Sequence, residues 1–274
     1  MGSERREEIV LPSPASDIKK TRQQLVSKIT TLENLQDKTD LLKDSFDGET
    51  CYILSCGPSV KNYSPDQLRE KLSDKLVFGI KTIYDYVPDI VDFHFFNCCN
   101  LPLLKGKNNQ EHFIYPPDNQ PVVIASSNYD EGTRWGSEQE ISMFYKIPIR
   151  TSVDSFLAHN KRFEEYCLSN TINRPCGPGI MLETVFHMAE HIGVKEIVIL
   201  GLDMTTNPKT HKDYDHFYSR DTQLHNPGDM LDWEIKDNRE AFSHMHDWLK
   251  EKGISLKICS DISSLSNNIP RTRI

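Results

Sequence analysis

Long apolar runs are missing from this chain. No stretch approaches the roughly 18 consecutive apolar residues that a membrane span needs. No apolar signal core follows the charged start MGSERREE, so neither a transmembrane segment nor export is expected, and the reading is a cytoplasmic protein. An excess of positive charge is missing too: 32 Lys+Arg stand against 40 Asp+Glu, a net charge of −8. That balance argues against a general nucleic-acid binder, which carries a basic face, but it leaves room for a local basic pocket around an anionic ligand. Paired cysteine motifs are lacking. The seven cysteines (Cys51, Cys56, Cys98, Cys99, Cys167, Cys176 and Cys259) are odd in number and show no CxxC spacing, which reads as reduced thiols. Repeats with a period of 20–50 residues and the GxGxxG dinucleotide fingerprint are absent as well, which excludes a solenoid and a standard dinucleotide-binding turn.

What is present is enough for one large or two small domains in 274 residues, at ~150 residues per domain. Residues 1–16 are charged and then Pro/Ser-rich, the composition of a disordered tail. Residues 17–46 carry Ile18, Leu25, Ile29, Leu32 and Leu35 near helical spacing among polar residues, which predicts one amphipathic helical arm. Docking on the domain is the expectation for it, with pairing to another subunit as the alternative. From residue 50 to 268, strand-like runs CYILS, KLVFGI, IVDFHFF, PVVIAS, EIVILGL and ISLKIC alternate with helical patterns at 65–72, 153–169, 180–192 and 229–252. Short apolar strands alternating with helices predict an α/β fold. The expected form is a single Rossmann-like domain with a mostly parallel sheet covered by helices on both faces. The polar, aromatic-rich stretch 203–228 has no periodicity and is expected to be a lid.

Three segments carry chemistry. Gly57-Pro58-Ser59 directly follows the first strand, where ligands bind in open α/β sheets. Ser64-Pro65-Asp66-Gln67 has the form of the next helix start. Arg174-Pro175-Cys176-Gly177-Pro178-Gly179 stands ahead of helix 180–192, so its backbone N–H groups would meet a phosphate at a positive helix end, with Arg174 adding charge. His225 precedes Asn226-Pro227, a second helix start, whose dipole would help keep its imidazole neutral and basic; His211 and His216 are its rivals. His187-Met188-Ala189-Glu190-His191 spells a zinc-protease pattern. Helical phase instead sets Glu183, His187, Glu190 and His191 opposite an apolar stripe, so they are expected to be solvated and metal-free.

YILSCGPSV, FGIKTIYDY, FHFFNCCN, GPGIMLETVFHMAEHIGVKEIVILGLDM and ISLKICSDISSL, in that order, resemble the metal-independent bacterial sialyltransferases (glycosyltransferase family 42). The resemblance extends to their motility-associated glycosyltransferase and hydroxymethylpterin diphosphokinase-like relatives. It spans roughly residues 50–265. It departs at Ser55, where the family has Gly, and at Lys81, where the family has Asn. The resemblance implies a nucleotide site made of Gly57, Pro58, Ser59, Asn97, Arg174, Gly177, Pro178, Gly179 and Asp203, with Tyr214 and Tyr218 on the leaving phosphate; Lys81, in place of the family's Asn, is expected to approach a phosphate. It implies His225 as general base, and His216 in the same loop stays its rival. The implied reaction is inverting transfer of an acidic sugar (a sialic-type nonulosonic acid or Kdo) from a CMP-activated donor to a saccharide acceptor, without a metal cofactor. Peripheral membrane association and homo-oligomerisation stay open. Two alternatives stand beside it. One is a pterin-type pyrophosphokinase with Mg²⁺ held by Asp203 and Asp213 or Asp215; the other is a non-catalytic nucleotide-binding module.

Overall fold

A computed structural model of the chain describes residues 18–97, 113–127, 141–147, 168, 172, 179–205, 216–217 and 230–274. The arm is two helices rather than one: α1 (Ile18–Ile29) and α2 (Leu35–Leu42). The apolar spacing runs across the break, which is why periodicity alone joins them. The chain stops because the Thr30 and Thr31 hydroxyls donate back to carbonyls of the preceding turn. Asn34 then caps α2 by accepting from the Asp37 N–H at 2.8 Å. Leu25, Ile29 and Leu42 are wholly buried in the main core, so these helices lie against the sheet.

Among the described residues seven strands follow: β1 (Thr50–Leu54), β2 (Leu76–Ile80), β3 (Phe93–Asn97), β4 (Val122–Ser127), β5 (Met143–Lys146), β6 (Glu196–Leu200) and β7 (Ser255–Ile258). Every pairing is parallel, in the order β5-β4-β3-β2-β1-β6-β7. β5 escapes sequence reading because MFYK is short and mixes apolar with polar residues. β2, LVFGI, is buried at every position, as a strand covered on both faces must be.

Alternate side chains feed two cores. Phe78, Phe93 and Phe95 face the larger one, under α1, α2, α5 (Phe186–His191) and α6 (Met230–Glu251). Val77, Phe96 and Val123 face the smaller one, with Leu68 and Leu72 of α3 (Pro65–Leu72) and Tyr84 of α4 (Ile83–Tyr86). α3 begins as its sequence predicts: Ser64 and Gln67 exchange both capping-box hydrogen bonds, and Pro65 opens the helix.

At the amino edge of the sheet, Lys19 of α1 reaches Asp92, at 2.8 and 2.7 Å from its two carboxylate oxygens. Val77 N–H donates to the same carboxylate at 2.9 Å, and the Arg22 guanidinium lies 3.7 Å away. Burial pushes the Asp92 carboxyl above and the Lys19 amine below their ordinary values, and each is partly offset by the other's charge.

The segment ahead of α5 departs from expectation. Met181–Val185 forms a π-helical turn, with Phe186 N–H bonded to the Met181 carbonyl. Glu183 and His187, expected in solvent, are 1% and 2% exposed. The reason is tertiary: α6 covers that flank, with Trp248 5.1 Å from the His187 ring and Phe242 5.9 Å from Phe186. His191 bonds the Thr39 carbonyl at 2.8 Å. Among the described residues no three His, Cys, Asp or Glu side chains are grouped to hold a metal.

Candidate functional site

The strand order reverses between β1 and β6. From β1 the chain steps outward through β2 to β5, then returns to the other side of β1 for β6 and β7. Beyond the carboxyl ends of the two central strands the ladder continues for one more turn, Ser55 N–H to Leu200 O at 2.8 Å and Gly57 N–H to Gly201 O at 2.7 Å. The chains then part, and the crevice they leave is the place where open α/β sheets bind ligands. A cleft of about 190 Å³ occupies it.

Glycine at 57 is required there. A Cβ would stand 2.5 Å from the Gly201 carbonyl oxygen and 2.6 Å from Asp203 Oδ2. This close approach lets the turn fold onto Asp203. Ser59 N–H donates to Asp203 Oδ2 at 2.7 Å, and Ser59 Oγ accepts from Gly201 N–H at 3.2 Å. Asp203 is 1% exposed, and its other oxygen, Oδ1, is buried and has no hydrogen-bond partner among the described residues. A buried carboxylate oxygen left unsatisfied on the wall of a cleft calls for an explanation.

Lys81 also lines the cleft, at the end of β2, in the left-handed region with φ +50. Met204, also on the cleft, has φ +51. Two non-glycine residues in this sparsely populated conformation, both at one cleft, fit the way strain gathers at functional sites. His216 lines the cleft too. Its neighbour Phe217 is tied across the first turn by its N–H to the Cys56 carbonyl at 3.0 Å and by its ring, 5.3 Å from Tyr86.

Of the residues singled out in the sequence, Gly57, Lys81, Gly179, Asp203 and His216 line this one cleft. Ser59 stands directly behind it, and Pro58 opens the short helix Pro58–Asn62 that carries Ser59. Asn97 is not among the lining residues. It ends β3, and β2 stands between that strand and β1. His225, Arg174, Gly177, Pro178, Tyr214 and Tyr218, with His211, Asp213 and Asp215, lie outside the described residues, as does most of stretch 203–228.

Sequence reading missed Asn238 of α6 and Met181 and Leu182 of the π-helical turn, all on the cleft wall. Their pattern is that of ordinary amphipathic helix, and only packing aims them here. It also missed His94. That ring is wholly buried, and burial depresses its pKa to about 3, so it is neutral. Its nitrogens lie 2.8 Å from the Tyr115 hydroxyl and 2.8 Å from the Lys81 carbonyl oxygen. A lone His within an apolar strand gives no signal of such a role.

Fold and cleft together define the class: an open, parallel, doubly covered α/β sheet with a ligand crevice at its switch point. No protein-family model matches the sequence, and no curated protein matches it. Among solved structures the chain is similar to the MAf glycosyltransferase from Magnetospirillum magneticum AMB-1, with a TM-score of 0.47 and 11% identity. The match covers 93% of this chain and 38% of that one, so this chain spans well under half the length of its neighbour. Among the described residues, no helix is long and apolar enough to cross a membrane.

Proposed function

We propose that the chain is a glycosyltransferase whose switch-point cleft takes a CMP-activated acidic sugar, of the sialic or Kdo type, and passes the sugar to a saccharide hydroxyl with inversion. The observation that carries this reading is the Asp203 carboxylate. It is buried, held by Ser59 on one oxygen and unsatisfied on the other, on the wall of a cleft that Lys81 also lines. Such a cleft favours a ligand that carries both hydrogen-bond donors and negative charge, as a nucleotide sugar does.

In the proposed reaction the acceptor oxygen attacks the anomeric carbon while the bond to the CMP phosphate oxygen breaks. The acceptor proton passes to a histidine, and CMP leaves as the anion. His216 stands on the cleft wall and is one candidate base; His225 is the other. Arg174, Gly177, Pro178, Tyr214 and Tyr218 are proposed to meet the phosphate, and Asn97 the nucleoside.

Metal independence belongs to the proposal and does not follow from motif content, because Asp213-Tyr214-Asp215 supplies two carboxylates at close spacing. The test is calorimetric titration with CMP and CMP-sugars, with EDTA and then with Mg²⁺. Binding in EDTA is the expected result, and absence of binding at millimolar CMP overturns the reading. ATP binding that needs Mg²⁺, with none for CMP, would assign a pyrophosphokinase instead. Slow CMP-sugar hydrolysis abolished by His216→Ala or His225→Ala identifies the base and excludes a non-catalytic module.

A further inference from the structure

We propose that His94 is a positioning residue: through its hydrogen bond to the Lys81 carbonyl it holds Lys81 on the cleft, and so sets the affinity for the anionic part of the ligand without touching it. This rests on the reading that the cleft binds a nucleotide.

Lys81 is held at both backbone groups. Its N–H donates to the Phe95 carbonyl at 2.8 Å, and its carbonyl oxygen lies 2.8 Å from His94 Nε2. A carbonyl only accepts and a neutral imidazole carries one N–H, so Nε2 bears the proton. Nδ1 is then an acceptor, and the Tyr115 hydroxyl 2.8 Å away donates to it. The ring cannot turn. Tyr84 stacks on it at 4.7 Å and Phe113 meets it edge-on at 4.5 Å.

β3 therefore carries a rigid strut whose tip fixes the residue that ends β2. A lysine gains nothing locally from a positive φ, which Gly or Asn adopts more readily. Keeping a long cation there, with its carbonyl pinned by a dedicated buried group, makes sense if the cation has a task at the cleft. Losing the strut leaves that carbonyl without its His94 partner and removes what opposes relaxation to a common backbone conformation.

The test compares four variants with CMP as probe. A Gln amide nitrogen reaches the place of Nε2, whereas an Asn amide reaches only that of Nδ1, and Phe reaches neither. His94→Asn and His94→Phe are expected to weaken CMP binding about tenfold, as one lost polar contact does. Lys81→Ala should weaken it by a similar factor, and Lys81→Ala with His94→Asn no further. His94→Gln should stay within about threefold of the parent. The second readout needs no ligand: the Cβ carbon shift of Lys81, which reports φ, should move in His94→Asn and His94→Phe and stay in His94→Gln. A purely structural His94 predicts additive losses and an unmoved Lys81 shift; either result overturns the proposal. If the parent binds no CMP, the nucleotide reading falls, and the Lys81 shift alone decides the positioning role. Should His94→Phe not fold, His94→Asn carries the comparison.

Discussion

Asp92 and Asp203 sit at opposite edges of one parallel sheet. Asp92 precedes β3 at the amino edge, and Asp203 follows β6 at the carboxyl edge. They are equally buried, 0% and 1% exposed, yet their surroundings differ in kind. Asp92 has the Lys19 ammonium on both oxygens, the Val77 N–H and the nearby Arg22 guanidinium. Asp203 has the Ser59 N–H on one oxygen and a cleft beside it. Burial therefore does not distinguish the two carboxylates. Satisfaction does: the first carboxylate is complete within the fold, whereas the second keeps one oxygen without a hydrogen-bond partner among the described residues.

The largest expected effect separates the two most sharply. Asp92→Ala leaves two cations facing each other without their counterion, and should cost about 3 kcal/mol or more of unfolding free energy, measured in urea, while a folded fraction still binds CMP. Asp203→Asn keeps an acceptor for Ser59, and should change stability by less than about 1 kcal/mol while CMP affinity falls at least about tenfold. If Asp203→Asn loses as much stability as Asp92→Ala, the contrast between the two edges collapses.

His94, behind the cleft, adds a pH dependence that can be placed. Its folded-state pKa, about 3, lies below the ordinary 6.5. The stability it contributes is therefore present above about pH 6.5 and is lost as pH falls toward the folded value. Between pH 6 and 4 the slope should approach about 1.4 kcal/mol per pH unit. Urea unfolding at the two pH values should show a pH slope steeper in the parent than in His94→Gln by about this amount.

The smallest effect is expected from Lys81→Gly. Relief of the left-handed backbone should leave stability within about 1 kcal/mol of the parent or slightly above it, while CMP binding weakens. A large loss of stability would mean that Lys81 serves the fold rather than the cleft.

Legibility followed the range of the interactions involved. The apolar runs marked six of the seven strands, and the Ser64-Pro65-Asp66-Gln67 start was readable because capping is local. The joined arm helix was misread because periodicity continues through Thr30–Asn34, where side-chain hydrogen bonds end one helix and begin the next. Gly57, Lys81, Asp203 and His216 were recognisable as candidates from motif order. Nothing local showed that they share one cleft, that Asn97 is not among its lining residues, or that Asn238 belongs to it. Glu183 and His187 looked solvated because phase describes one helix face at a time, and α6 covers the other.

The chain's shortage of long apolar runs, paired cysteines and positive charge, with its short strands between helices, determined an α/β protein of net negative charge. Those properties follow from composition and neighbour spacing. Tertiary structure decided which of two equally buried aspartates is left incomplete, and which histidine became a strut behind a lysine. Hydrogen-bond satisfaction depends on partners from distant segments: Lys19 with Asp92, Ser59 with Asp203, His94 with Lys81. Such partners meet only once the sheet has formed.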